Sequence, residues 1–98
     1  MNADISALFG KRDEAVRKQD AGLFLSTQLS EIGFASSDGY LSTRDMTTEV
    51  LHVYGSPDGN AVAFVRETYK PKDKRERSAF VMYFLTDTRS GWKIYRTR

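Results

Sequence analysis

Residues 80–85 read Phe80-Val81-Met82-Tyr83-Phe84-Leu85, six large apolar side chains without a polar break. Successive side chains of an extended chain point to opposite faces of a sheet, so this run supplies apolar groups to both faces at once. A run this short, flanked by turn residues, reads as a strand with something packed on each side. Working outward, strands are expected over 49–54, 61–69, 78–88 and 92–97. The first pair is joined by Gly55-Ser56-Pro57-Asp58-Gly59, the second by the basic segment from Lys70 to Arg77, and the third by Arg89-Ser90-Gly91. Connections this short favour successive antiparallel pairing.

The first third of the chain has a helical period. Ile5, Leu8, Phe9, Arg12, Ala15 and Val16 recur at three- and four-residue spacing over residues 2–18, with Asn2 or Asp4 to cap the start and the Arg12 stem lying along the stripe. Asp20 is placed to cap a second helix whose inward stripe is Phe24, Gln28, Leu29 and Ile32, with Gly33 as its stop. Ser37-Asp38-Gly39 reads as a turn before Tyr40-Leu41, and Ser42-Thr43-Arg44-Asp45 reads as an imperfect capping box opening a short helix over 43–48. The fold class is therefore α+β, with the whole chain, 1–98, forming one domain.

A register follows from pairing Tyr54 with Ala61, Tyr69 with Ser78 and Thr88 with Gly91. It collects Val62, Phe64, Arg66, Tyr83, Trp92, Ile94 and Arg96 on the helix side. The other side receives His52, Tyr54, Val65, Glu67, Phe80, Met82, Phe84 and Tyr95. Two helices cover only one face. Burying each large apolar side chain on the other is worth about 1.5–3 kcal/mol, so the outer face is expected to meet a second sheet in a two-fold homodimer. Its interface residues would be His52, Tyr54, Val65, Phe80, Met82, Phe84 and Tyr95. His52, the one histidine, would then make association weaken in acid.

The composition excludes several classes of function. The chain has no cysteine and one histidine, which removes disulfides, thiolate metal sites and cysteine nucleophiles, so no metal is expected; with no phosphate-binding loop either, no cofactor is expected. No apolar run approaches the about 18 residues of a membrane span, and no signal peptide opens the chain, so the expected location is the cytoplasm. Net charge is +2, with +3 concentrated between Lys70 and Arg77. A charge run confined to one loop reads as a solvated hairpin tip, and no nucleic-acid partner is expected.

Three stretches carry a family resemblance: Glu14-Ala15-Val16-Arg17-Lys18-Gln19-Asp20-Ala21-Gly22-Leu23-Phe24, then Asp38-Gly39-Tyr40-Leu41-Ser42-Thr43-Arg44-Asp45, then Phe84-Leu85-Thr86-Asp87 with Gly91-Trp92-Lys93-Ile94. In this order they resemble the nuclear transport factor 2-like superfamily, which includes ketosteroid isomerase and polyketide cyclases. The resemblance implies a curved, mixed or antiparallel sheet forming a cone on N-terminal helices, a pocket inside it, and dimers through the outer sheet face. No catalytic residue carries over position by position.

Within that frame the register sets Glu49 opposite Arg66, either as a cross-strand ion pair or as part of a ligand site. Arg66, Tyr83 and Arg96 would line the mouth of the cone, two guanidinium forks and a hydroxyl suited to a carboxylate or phosphate. For proton-transfer chemistry the candidates are Glu49, Asp45 and Tyr83, although Arg66 beside Glu49 works against a base role. The residues alone leave three readings open. One is a dimeric module binding a small molecule, anions included, in the cone. The second is a small isomerase, cyclase or dehydratase, and the third is a purely structural dimerisation module.

Overall fold

The computed structural model describes residues 2–29, 43–71 and 75–97. Helix α1 spans Asn2–Lys18 and α2 spans Ala21–Leu25; strands β1 (Thr43–Gly55), β2 (Asn60–Pro71), β3 (Arg77–Thr88) and β4 (Gly91–Thr97) follow. The strands form one curved, unclosed antiparallel sheet in the order β1-β2-β3-β4, and α1 lies across its concave face.

The α1 stripe read from the sequence is the buried face of the helix: Ile5, Leu8, Phe9, Arg12, Ala15 and Val16 are all buried. Its ends suit the helix dipole, with Asp4 in the first turn and Arg17 and Lys18 in the last. Gln19 ends the helix in the left-handed region at φ 56°. Its backbone N–H donates to the Val16 carbonyl at 3.1 Å, and its side-chain amide donates to the carbonyls of Val16 and Thr43. The side chain thus ties the helix end to β1. Asp20 caps α2 as expected, accepting the Leu23 N–H at 3.0 Å.

The second helix is shorter than its apolar spacing suggests. The Ser26 and Thr27 hydroxyls donate back to the Leu23 and Phe24 carbonyls, both at 2.6 Å, and Lys93 Nζ donates to the Ser26 carbonyl. Beyond them the chain is captured by the edge of β4. Ile94 N–H donates to the Thr27 carbonyl at 2.9 Å, and Leu29 N–H to the Ile94 carbonyl at 3.0 Å. Gln28 therefore sits in a parallel bridge with Ile94 instead of on a helix stripe. Ile32, Gly33, the 37–39 turn, Tyr40-Leu41 and Ser42 lie outside the described residues.

The short helix expected over 43–48 is instead the first half of β1. Thr43, Thr47 and Thr48 are β-branched and pair with the far half of β2, while Met46 is driven into the core beneath α1 and α2.

The registers differ from expectation by one residue in two hairpins. Near the first turn Tyr54 pairs with Val62, and a bulge at Leu51 restores the expected Glu49–Arg66 pairing beyond it. Between β2 and β3, Tyr69 pairs with Arg77 rather than Ser78. Thr88 pairs with Gly91 as expected. A slip of one exchanges the faces. On β2, Ala61, Ala63, Val65 and Glu67 now face the helices and are buried, and Val62, Phe64 and Arg66 face outward. Tyr83, Leu85 and Ile94 complete the principal core with Ile5, Leu8 and Phe9.

Candidate functional site

The concave face holds a buried ionic cluster that joins α1 to the sheet. Arg12 is at the centre of the α1 stripe, Glu67 is on β2 and Tyr83 is on β3; their exposures are 1%, 3% and 1%. Arg12 Nη1 donates to Glu67 Oε2 and to Tyr83 Oη, both at 3.0 Å, and the Tyr83 hydroxyl donates to the same Glu67 oxygen. The guanidinium is stacked between two rings, its carbon 5.0 Å from the Phe24 centroid and 4.8 Å from that of Tyr83. Phe9 closes against Tyr83 at 5.2 Å between centroids. Such a cation is stable out of water only when its charge is offset, and this cluster offsets it with a carboxylate, a hydroxyl and two aromatic faces.

Asp13, the next residue on α1, makes a second polar link. Its two carboxylate oxygens accept the Thr48 backbone N–H and the Thr48 hydroxyl, each at 2.7 Å. Burial pushes the Asp13 carboxyl above its ordinary value, against the lowering effect of the Thr48 hydrogen bonds and of Arg12 and Arg17.

Tyr83 is inside the cone as expected, but its acidic partner is Glu67, not Glu49. Glu49 and Arg66 form the cross-strand ion pair at 2.7 Å, on the outer face, with side chains 55% and 50% exposed. Arg96 is also on the outer face, 5.9 Å above the Phe84 ring. Arg66 and Arg96 are thus separated from Tyr83 by the thickness of the sheet, and the three form no common site. Asp45 stands 3.7 Å from Arg17 near the start of β1, remote from Tyr83. Two signals in the sequence point to the observed cluster. Ala61 and Ala63 alternate with Val62 and Phe64, and small residues are what a strand presents beneath a closely packed helix. Arg12 in an otherwise apolar stripe also requires an acid facing it.

The outer face carries the remaining residues expected there, His52, Tyr54, Phe80, Met82, Phe84 and Tyr95; Val65 is the exception, buried at 1% against α1. His52 packs edge-on to Tyr54 at 4.4 Å and Tyr54 to Phe64 at 6.2 Å. Leu51, Tyr54 and Phe80 are 48%, 61% and 78% exposed, and an apolar groove of about 310 Å³ runs between Leu51, Phe64, Phe80 and Met82.

No protein-family model matches the sequence, and no curated protein matches it. Solved structures do match in shape. A nuclear transport factor 2-like protein of unknown function from Shewanella oneidensis superposes with a TM-score of 0.80 at 12% identity, covering 98% of this chain and 95% of that one. A protein from Streptomyces avermitilis, described as a dehydratase candidate of the same family, gives 0.66 at 13% identity over 97% and 91%. A SEC-C motif containing protein from Rhodopseudomonas palustris gives 0.71 at 14% identity over 94% and 75%. The chain has the nuclear transport factor 2-like fold.

Among the described residues, no helix is long and apolar enough to cross a membrane.

Proposed function

We propose that the protein is a non-catalytic binding module of nuclear transport factor 2-like fold that works as a homodimer through the outer face of its sheet. The observation that carries this is the exposed apolar centre of that face, Leu51, Tyr54 and Phe80 around the Phe64–Met82 groove. Its occupant is a second copy of the chain. The apolar centre is bordered by Thr47, Thr68 and Ser78 on one side and Arg96 on the other, the arrangement of apolar core and polar rim that a protein interface has. The exposed Glu49–Arg66 pair supplies both charges at the edge of the apolar patch, so a two-fold axis lets each copy's acid meet the other's base. Small-molecule binding, expected in the anionic case from Arg66 and Arg96, loses those two guanidinium groups to the outer face and is left to the helix side of the sheet.

The non-catalytic part of the reading rests on the buried cluster. Glu67, the acid inside the cone, is 3% exposed and its Oε2 already accepts from a guanidinium and a phenol, and Tyr83 both accepts and donates within the same cluster. A general base must reach its substrate proton directly or through one water. The two acids expected for that role lie elsewhere: Glu49 is held by Arg66 in the open, and Asp45 stands beside Arg17.

Sedimentation velocity at micromolar to tens of micromolar concentration tests the dimer. The expected result is a two-chain species that Phe80→Glu converts to a folded monomer with unchanged circular dichroism. A wild-type protein that sediments as a monomer throughout this range overturns the proposal.

A further inference from the structure

The β3–β4 hairpin closes against the first half of α1 around an open cleft of about 430 Å³. Asp4, Leu8 and Lys11 form the helix wall; Asp87, Gly91 and Trp92 form the sheet wall. Trp92 packs partly on the core and lies directly across the ladder from Asp87, so the indole and this carboxylate stand side by side. Lys93 also borders the cleft, but its ammonium is engaged by the Ser26 carbonyl. Asp4, Lys11 and Asp87 are in no ion pair among the described residues. The cleft therefore presents two uncommitted carboxylates, one uncommitted ammonium, and an indole in its sheet wall beside Asp87. Asp4 and Lys11 are seven residues apart on α1, which separates them by about 10 Å along the helix axis.

We infer that this cleft is a binding site for a short zwitterion with its charges at opposite ends, of the ω-amino-acid type. The ligand's ammonium is taken by Asp87 and Asp4 against the Trp92 face, where the ring quadrupole and the carboxylates act in the same sense. Its alkyl stem lies over Leu8 and the indole, and its carboxylate reaches Lys11. A simple carboxylate has nothing to offset the two acids, and a simple amine leaves Lys11 unused. The cleft is on the helix side of the sheet, so it stands or falls separately from association through the outer face.

Trp92 is the sole tryptophan of the chain, so tryptophan fluorescence reports the surroundings of this one indole in the cleft wall. The test is a titration of the full chain with ε-aminocaproate, pentylamine and hexanoate. Expected is a saturable change in Trp92 emission with ε-aminocaproate, weaker binding of pentylamine, and none of hexanoate. Asp87→Asn is expected to raise the Kd for ε-aminocaproate about tenfold. Lys11→Gln raises it by a similar factor and leaves that of pentylamine unchanged. Both positions are exposed, and an unaltered Tm verifies that each variant is folded. The inference is overturned if no probe gives a saturable change, if hexanoate binds as tightly as ε-aminocaproate, or if the folded Asp87→Asn variant binds like the wild type.

Discussion

Arg66 and Glu67 are neighbours on β2, yet they belong to two different chemical settings. Arg66 turns outward to meet Glu49 at 2.7 Å with both side chains half in water, whereas Glu67 turns inward to meet Arg12 at 3.0 Å with both almost wholly buried. The shorter pair is the one expected to cost less when broken. In water the attraction between two charges is screened and opposed by side-chain entropy, so an exposed pair contributes little at any length. Inside, each charge has lost its hydration, and removing one partner leaves the other in a medium that cannot solvate it. What separates the two pairs is the face of the sheet, set by one residue of register.

The largest effect is expected where that contrast is broken from inside. Glu67→Ala removes the carboxylate that faces Arg12 and is expected to cost about 3–5 kcal/mol in urea unfolding. Replacing the cluster as a whole, with Arg12→Met, Glu67→Met and Tyr83→Phe together, is expected to cost less than Glu67→Ala alone, because no polar group is then buried without its partner. If the triple variant is the less stable, the cluster contributes net stability beyond mutual satisfaction, and the contrast between the faces is larger still.

How far the sequence discloses this contrast depends on what kind of signal each element carries. The α1 stripe is legible because helical periodicity is local: Ile5, Leu8, Phe9, Arg12, Ala15 and Val16 are all where their spacing puts them. The strand order is legible from short connections for the same reason. Register is not local. The bulge at Leu51 and the Tyr69–Arg77 pairing depend on tertiary packing, and each moves a set of side chains through the sheet without changing any strand's sequence pattern. Residues 43–48 and 26–29 show a second limit. Their side-chain hydrogen-bonding groups suit a helix cap or turn, but the edges of β2 and β4 offer backbone partners, and the backbone follows the sheet. The candidate site was thus half visible: Arg12 and Tyr83 are inside as their elements require, while the acid between them is hidden by the slip.

A smaller effect is expected at Asp13, the second polar link on the concave side. Burial makes the folded chain hold the Asp13 proton more tightly than the unfolded chain does, despite the Thr48 hydrogen bonds and the nearby guanidinium groups. Its contribution to stability is therefore fullest below the ordinary value of 3.8 and is lost as pH rises through the raised folded value. Asn at this position can accept the Thr48 N–H and donate to the Thr48 hydroxyl without carrying charge. Asp13→Asn is expected to stay within about 1 kcal/mol of the wild type at neutral pH. Its stability is expected to fall less steeply between pH 3.8 and neutrality, as read from urea midpoints across that range. An equally steep fall in the variant would place the titration elsewhere.

The smallest effect is expected outside. In dilute protein Glu49→Ala removes a half-exposed pair and is expected to cost about 0.2–1 kcal/mol in unfolding, reduced further by salt. The proposed association through the outer face would change that expectation in a specific direction. Once a second sheet covers Glu49 and Arg66 they lose water, and deleting the acid leaves Arg66 uncompensated at the edge of the interface, the situation of Arg12 after Glu67→Ala. Glu49→Ala is therefore expected to weaken the dimer by more than it destabilises the fold, as measured by sedimentation against concentration. A variant that dimerises like the wild type would put the pair outside the covered area, and the two faces of β2 would then differ in burial both before and after association.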